Sequence, residues 1–265
     1  MSLLVGLLLP AINSSREAAR RIDCSHRLHQ IGLALHAHHE ARGALPPGWT
    51  LEPTGQSAFG WFVPLLPFSE AGALAHSLDM TAPLTSNVNI TPGRTALSLS
   101  ICPSDVHEPL FALYKEVGTH AISGQRSDQV LVWLASANFV AMFGTRDPDD
   151  VAGTTGNGAF IETRAFRFTE LERGLSETFL IGERTEAQCP TTWVGFEVAG
   201  EDAASRVAGL AWDGPNRADA DESEFSSRHP GCTNFLWADG HVTPIPDEID
   251  QMTYRQLSKR GFARD

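Results

Sequence analysis

The sequence predicts an α+β fold in which one long N-terminal helix packs against an antiparallel, β-rich body. Three observations predict it. Apolar residues follow helical spacing over residues 11–42. Beyond Gly48 the chain breaks into short β-prone segments separated by glycine, proline or aspartate. The 23 glycines and 16 prolines are more typical of sheets and turns than of a helical bundle. We therefore assign residues 1–45 to the helix and residues 46–265 to the body.

The first predicted helix begins with an apolar run from Leu3 to Leu9. This run is too short to cross a bilayer, because a spanning helix needs about 20 apolar residues. It also lacks the basic residues and the small-residue cleavage site of a signal peptide. Gly43 and the prolines after it mark the end of the helix. At roughly 45 Å the helix is long, so either one half packs on the body while the other projects, or the helix pairs with other chains.

The predicted body consists of short strands, a hairpin and a closing helix. Its strand-like segments are Phe59–Pro67, Ala96–Cys102, Gln129–Trp133, Asn138–Phe143, Thr178–Gly182 and Thr192–Val198. The clearest hairpin runs from Asn234 to Thr243, because Asp239 and Gly240 at its centre suit a two-residue turn with positive φ. A helical pattern over 247–260 closes the chain.

Charge and motif content exclude several classes of function. The net charge is −12 and the isoelectric point is near 5.2, whereas nucleic-acid-binding proteins usually present a basic surface. The same charge opposes binding of anionic lipid through the body. No nucleophile elbow, phosphate-binding loop or dinucleotide-binding glycine pattern occurs in the sequence. We therefore expect no enzyme activity, no cofactor and no nucleic-acid partner.

The chain contains four cysteines: Cys24, Cys102, Cys189 and Cys232. No two of them have the short spacing of a zinc finger, so the sequence disfavours a structural zinc site of that kind. An even number spread over the chain is compatible with two disulfides in an oxidising compartment, or with four buried thiols in the cytosol. Spacing alone leaves both alternatives open.

Ordered motifs extend through most of the chain. They are Leu7–Ala11, Arg16–Arg21 with Cys24 behind it, Gln30–His36, Cys102–Asp105, Gly174–Glu183 and His229–Gly240. In this order they resemble a prepilin-like bacterial family of unknown function, domain of unknown function 1559. The last motif, in which nine residues separate His229 from Asp239 and Gly240, is similar to that family's C-terminal signature. Some labels describe the family as solute-binding.

The resemblance implies a pilin-like structure and a structural function in the cell envelope. An apolar N-terminal helix is expected to anchor in the inner membrane and to continue into a β-rich body outside the cytoplasm, as in prepilins and type II secretion-like pseudopilins. The implied partners are other pilin-like subunits or envelope proteins, contacted through helix packing. The alternative is an extracytoplasmic solute- or metal-binding module.

Both ends of the chain depart from the family pattern. A basic leader, a Gly-Phe cleavage site and a glutamate are expected around the start of the apolar segment, and this sequence starts inside that segment. We interpret the chain as truncated at its N-terminus, with membrane anchoring expected only for an extended chain. The usual Gly-Gly-Glu ending is altered to Gly261–Asp265.

The resemblance also indicates a disulfide. Cys24 and Cys102 both lie on family motifs, which favours a bond between them that ties the helix to the body. Such a bond stabilises a fold by about 4–5 kcal/mol in the chain-entropy model. Cys189 and Cys232 form the second candidate pair.

His229 and Asp239 resemble a catalytic pair. A strand runs between them, however, and ten extended residues span roughly 33 Å. We therefore predict a structural motif, in which Asp239 and Gly240 form the turn and His229 hydrogen-bonds near the strand entry.

Two further patterns are candidates for metal ligands. His36 and His39 lie three residues apart and share one face of the first helix, which suits a transition metal, although no third ligand is evident. Asp219 and Asp221 have the spacing of a calcium loop without its glycine and final glutamate. A polar helix face and a solvated loop are the alternative interpretations.

Overall fold

The computed structural model describes residues 2–117 and 127–262, with side chains from Ile12 onward. It confirms the α+β fold, since one long helix accompanies sheets that are mainly antiparallel. The helices are α1 (Ser2–Arg42), α2 (Gly72–Ala75), α3 (Asn87–Gly93) and α4 (Gln251–Leu257). The strands are β1 (Trp49–Leu51), β2 (Ser57–Gly60), β3 (Leu110–Tyr114), β4 (Val130–Ala137), β5 (Phe139–Gly144), β6 (Phe179–Glu183), β7 (Thr191–Thr192), β8 (Gly195–Glu197), β9 (Ala208–Leu210), β10 (Cys232–Trp237) and β11 (Val242–Pro246).

Helix α1 has a docked half, which begins at Cys24, and an exposed half, which is described with its side chains over residues 12–23. Its docked half buries Cys24, Leu28, Ile31 and Leu35, which recur every three or four residues and form one stripe. The stripe packs against β10, β11 and the 3-10 helix Val63–Phe68. The described side chains before Cys24 are exposed or half-exposed. The structure thus agrees with the alternative in which half of the helix packs on the body.

The predicted end of α1 is confirmed. Gly43 takes a φ of 81°, and its N–H donates to the carbonyl of His39 at 2.8 Å. Glycine adopts this left-handed conformation without a steric penalty, so the helix stops at Arg42. Within the described residues, no helix combines the length and the apolar content that a bilayer crossing requires.

Three sheets form the described part of the body. The largest has the strand order β11-β10-β6-β5-β9, and only its β5–β9 pair is parallel. The smaller sheets have the orders β1-β2-β8 and β3-β4-β7. The main hydrophobic core joins α1 to these sheets. A second cluster packs Tyr254 of α4 against Phe179 and Phe235 of the largest sheet.

Two predicted strands fold differently. In the segment Phe59–Pro67, strand β2 ends at Gly60 and the 3-10 helix Val63–Phe68 follows. Pro64 and Pro67 lack the N–H donors that a sheet interior needs, which favours the helix. In the segment Ala96–Cys102, the residues Ser98–Ser100 also form a 3-10 helix instead of a strand.

The C-terminal hairpin forms as predicted, with a different turn. Strands β10 and β11 pair antiparallel, and the N–H of Trp237 donates to the carbonyl of His241 at 2.9 Å. Three residues therefore close the loop rather than two. Gly240 has a φ of 92°, the left-handed position that three-residue hairpin loops place last. The closing helix α4 is shorter than the predicted 247–260, because Asp250 caps it by accepting from Thr253 N.

Candidate functional site

A buried cluster of ionisable side chains lies where α1 meets the body. Cys24 comes from α1, and Cys102 follows the 3-10 helix Ser98–Ser100. Glu183 ends β6, and His229 precedes β10. All four residues are buried, and their thiol, carboxylate and imidazole atoms lie within 4.8 Å of one another. We call this group the junction cluster.

His229 connects the junction cluster to α1 through both of its ring nitrogens. Its Nε2 lies 3.4 Å from Cys102 Sγ and 3.4 Å from Glu183 Oε1. Its Nδ1 lies 2.7 Å from Glu17 Oε1 on α1. The Cys24 thiol contacts Glu183 Oε1 directly. One nitrogen of the ring therefore faces the cluster, while the other faces a helix carboxylate.

Neighbouring polar groups hold the two carboxylates in place. Asn234 lies opposite the end of β6, and its backbone N–H donates to Glu183 Oε2 at 2.9 Å. Its Nδ2 donates to Oε1 at 3.0 Å. Glu17 accepts from Ser104 Oγ at 3.0 Å and from Arg20 at 2.6 Å. Groups outside the junction cluster therefore orient the carboxylates of Glu183 and Glu17.

Electrostatics within the junction cluster favour charged groups despite burial. Burial opposes a charged His229, but hydrogen bonds to Cys102, Glu183 and Glu17 outweigh it and raise the pKa of His229 to about 11. Burial likewise opposes a charged Glu183, but the same histidine holds its pKa below the usual value. A hydrogen bond from Cys24 and then His229 lower the pKa of Cys102 to about 7, while burial raises the pKa of Cys24. The junction cluster can therefore hold the buried imidazolium of His229 beside the carboxylate of Glu183.

The predicted disulfides are not present, because all four cysteines are free buried thiols. Cys24 and Cys102 do come together in the junction cluster, although their thiols interact with Glu183 and His229. Cys189 lies elsewhere, with its Sγ 3.3 Å from the guanidinium of Arg206. Cys232 lies in β10 opposite Pro246. The second candidate pair is therefore not brought into contact among the described residues.

His229 and Asp239 occupy separate sites. Asp239 Oδ1 accepts from the N–H of His241 at 3.1 Å and contacts its Nδ1 at 2.5 Å. These contacts, with Gly240 in the left-handed conformation, belong to the hairpin loop. His229 instead joins the junction cluster, which sequence reasoning did not foresee. One indication was available: Glu17, Cys102, Glu183 and His229 each lie in a different motif of the family resemblance.

The predicted histidine pair on α1 serves packing. His36 Nε2 contacts the carbonyl of Ala238 at 2.9 Å, and His39 Nε2 accepts from Phe168 N at 3.1 Å. Both rings also lie against the ring of Phe168, at 4.6 and 4.1 Å between centroids. Among the described residues, three or more metal-ligating side chains converge in the junction cluster, and neither His36 nor His39 belongs to it.

The predicted calcium candidates line an open cleft of about 470 Å³. Its acidic lining comprises Asp147, Asp150, Asp213, Asp219, Asp221 and Glu224. Asp219 lies 3.7 Å from Arg217 Nε, and Asp221 Oδ1 accepts from Ser223 N at 2.8 Å. Glu224 is the buried member, whose Oε2 has no hydrogen-bond partner. Carboxylates therefore concentrate here without converging as a ligand set.

Glu224 is expected to make stability depend on pH. Burial raises its pKa from the ordinary 4.5 to about 7, against hydrogen bonds from Trp212 and Asp213 N–H groups. Between these values the folded state binds the proton and the unfolded state does not. The free energy of unfolding should therefore fall as pH rises through this window, by about 3 kcal/mol at most.

Urea unfolding of wild type and Glu224→Gln between pH 4.5 and 8 measures this effect. The variant should match wild type near pH 4.5 and exceed its stability at pH 8, since glutamine carries no charge at either pH. Wild type and variant share the other ionisable groups around this position, so these groups affect both proteins alike. They are Asp213, Asp147, Arg184 and Tyr254. A stability difference that stays constant across the range would contradict the prediction.

The fold and the junction cluster define an α+β protein whose long helix docks by one half on a β-rich body. Residues 13–252 match the model of a family described as "Protein of unknown function (DUF1559)". The chain belongs to this family, as the ordered motifs predicted. No curated protein and no solved structure matches the chain.

Proposed function

We propose that this protein is a pilin-like structural subunit of the cell envelope, which acts by packing the exposed half of α1 against the same half of other subunits. The observation that carries the proposal is the exposure of apolar residues in α1 before Cys24, since the part of the helix after Cys24 is docked on the body. Ile12 and Ile22 are both exposed, although isoleucine is usually buried. The supported function is therefore assembly through a helix, with the body as the part that a subunit displays.

The exposed apolar residues share one side of the helix. Ala19 follows Ile12 by seven residues, which is close to two full turns, and Ile22 lies one turn further on. Such spacing is typical of seams between parallel helices. Residues 46–265 carry a net charge of −14, whereas residues 1–45 carry +2, and the negative charge opposes association of copies through the body. Copies of α1 packed side by side would bury the apolar side while the bodies stay apart.

Photo-crosslinking from a single position tests the proposal. A photoreactive amino acid placed at Ile22, which is 64% exposed on α1, should yield a crosslinked dimer of the full chain expressed in cells. The matched control is Met252, which is 68% exposed on α4 and should yield no specific dimer. Ile22→Asp should abolish dimers trapped from a probe at Ala19. Equal yields from Ile22 and Met252 would refute packing through α1.

A further inference from the structure

We propose that the junction cluster is a four-coordinate zinc site, in which Cys24, Cys102, Glu183 and His229 hold one ion that fixes α1 to the body. This inference goes beyond the proposed function, because an ion can bind each chain whether or not chains assemble. It also replaces the predicted Cys24–Cys102 disulfide with a different crosslink between the same two segments.

The donor set selects zinc. Two thiolates and one imidazole are ligands that zinc prefers, and a carboxylate completes four-coordinate sites. Calcium and magnesium require mainly oxygen ligands, so the two thiols disfavour them. Four protein ligands leave no open position for water or substrate. The site is therefore structural rather than catalytic.

The distances from His229 suit a tetrahedral ion. Zinc bonds of about 2.3 Å to sulfur and about 2.1 Å to nitrogen or oxygen place two ligand atoms about 3.4–3.8 Å apart. His229 Nε2 lies 3.4 Å from both Cys102 Sγ and Glu183 Oε1. All four ligand atoms lie within 4.8 Å of one another. Cys24 Sγ lies closer to Glu183 Oε1 than two ligands of one ion do, so these two side chains would separate by about 1 Å to complete the coordination.

Groups around the junction cluster orient its ligands as metal sites require. Metal-binding histidines usually donate their other ring N–H to a carboxylate, which fixes the tautomer. Glu17 Oε1 accepts from His229 Nδ1 at 2.7 Å, so the Nε2 lone pair can face the ion. Asn234 holds both oxygens of Glu183. Glu17 and Asn234 are thus positioning residues, and zinc binding releases the thiol protons of Cys24 and Cys102 together with any proton on Nε2.

The position of the site explains what the ion would do. Its ligands come from α1, from the segment after Ser98–Ser100, from β6 and from the segment before β10. An ion bound to all four prevents α1 from leaving the sheet without loss of a ligand. The ion would also balance the negative charge of the two thiolates and of the buried Glu183 carboxylate. The metal would thus set the orientation of the exposed half of α1.

Metal titration of the reduced full-length chain tests the proposal. Zn²⁺ should bind at one equivalent, and Co²⁺ should give the sulfur-to-cobalt charge-transfer band of a thiolate site. Cys102→Ser should weaken the band, because one of the two thiolates is lost, whereas Cys189→Ser and Cys232→Ser should leave it unchanged as matched controls. Glu17→Gln should weaken Zn²⁺ binding roughly 10–100-fold while the stoichiometry stays at one.

Zinc-edge X-ray absorption of the wild-type protein keeps the test decisive if a ligand variant fails to fold. It should show about two sulfur ligands at about 2.3 Å together with nitrogen or oxygen. A shell of oxygen and nitrogen alone would overturn the proposal. The proposal would also be overturned if the reduced wild-type chain took up no Zn²⁺. Formation of a Cys24–Cys102 disulfide in air in the presence of excess Zn²⁺ would overturn it as well.

Discussion

Arg184→Met is expected to unfold the protein or to leave it barely stable. The Arg184 guanidinium is buried, and its Nε donates to the carbonyl of Glu224 at 3.0 Å. Its two terminal nitrogens donate to three further carbonyls: Ser205 O at 2.6 Å, Ala208 O at 3.2 Å and Ser223 O. Methionine fills similar space but donates to none of them. Ser223 O keeps a second donor, the N–H of Leu210 at 2.9 Å, so the other three carbonyls carry the loss. A buried carbonyl left unpaired costs about 1–3 kcal/mol, and three of them bring the total into the range of the usual 5–15 kcal/mol of a folded domain.

Urea unfolding monitored by tryptophan fluorescence measures the loss. Arg184→Lys should be intermediate, because an ammonium offers three donors where the guanidinium serves four carbonyls. The matched control is Arg164→Met. Arg164 is exposed and pairs with Glu170 at 3.2 Å, a surface contact worth at most about 1 kcal/mol. Equal stability of Arg184→Met and Arg164→Met would show that the carbonyls find other partners.

Sequence patterns could predict the elements that depend on local chemistry. The apolar period of α1, the glycine at its end and the positive φ of Gly240 in the hairpin loop each act within a few residues, and each appears in the structure. Pro64 and Pro67 lie in a segment whose aromatic and aliphatic content predicts a strand. These two prolines nevertheless lie in a 3-10 helix. There the missing backbone donors outweigh the side-chain preference.

The junction cluster and Arg184 could not be located from patterns, because their contacts join distant segments. Cys24 contacts Glu183, which is 159 positions away, and His229 contacts Glu17, which is 212 positions away. Neither periodicity nor spacing encodes such pairs. Charged residues are also rarely fully buried, so a pattern assigns Arg184 and Glu183 to the surface by default. The family motifs contain all four residues of the junction cluster, but they do not show that these residues meet.

Leu28→Ala is expected to destabilise the docked half of α1 by about 2–5 kcal/mol, the cost of deleting a packed leucine side chain. Leu28 is 0% exposed and lies one turn beyond Cys24 in the buried stripe. The matched control is Leu33→Ala, where the side chain is 59% exposed on the same helix. Both changes alter helix propensity equally, and a surface substitution usually changes stability by less than about 0.5 kcal/mol. Urea unfolding should therefore separate them clearly.

The same pair of variants also shows whether α1 undocks separately from the rest of the fold. Cys24 is buried on α1 and Cys189 is buried in the body, so the labelling rate of each thiol reports the opening of its own segment. If α1 opens alone, Leu28→Ala should accelerate labelling of Cys24 far more than labelling of Cys189, and Leu33→Ala should accelerate neither. Equal acceleration at both thiols would mean that helix and body unfold as one unit. In that case the contacts of the junction cluster are as stable as the five-stranded sheet that contains Glu183.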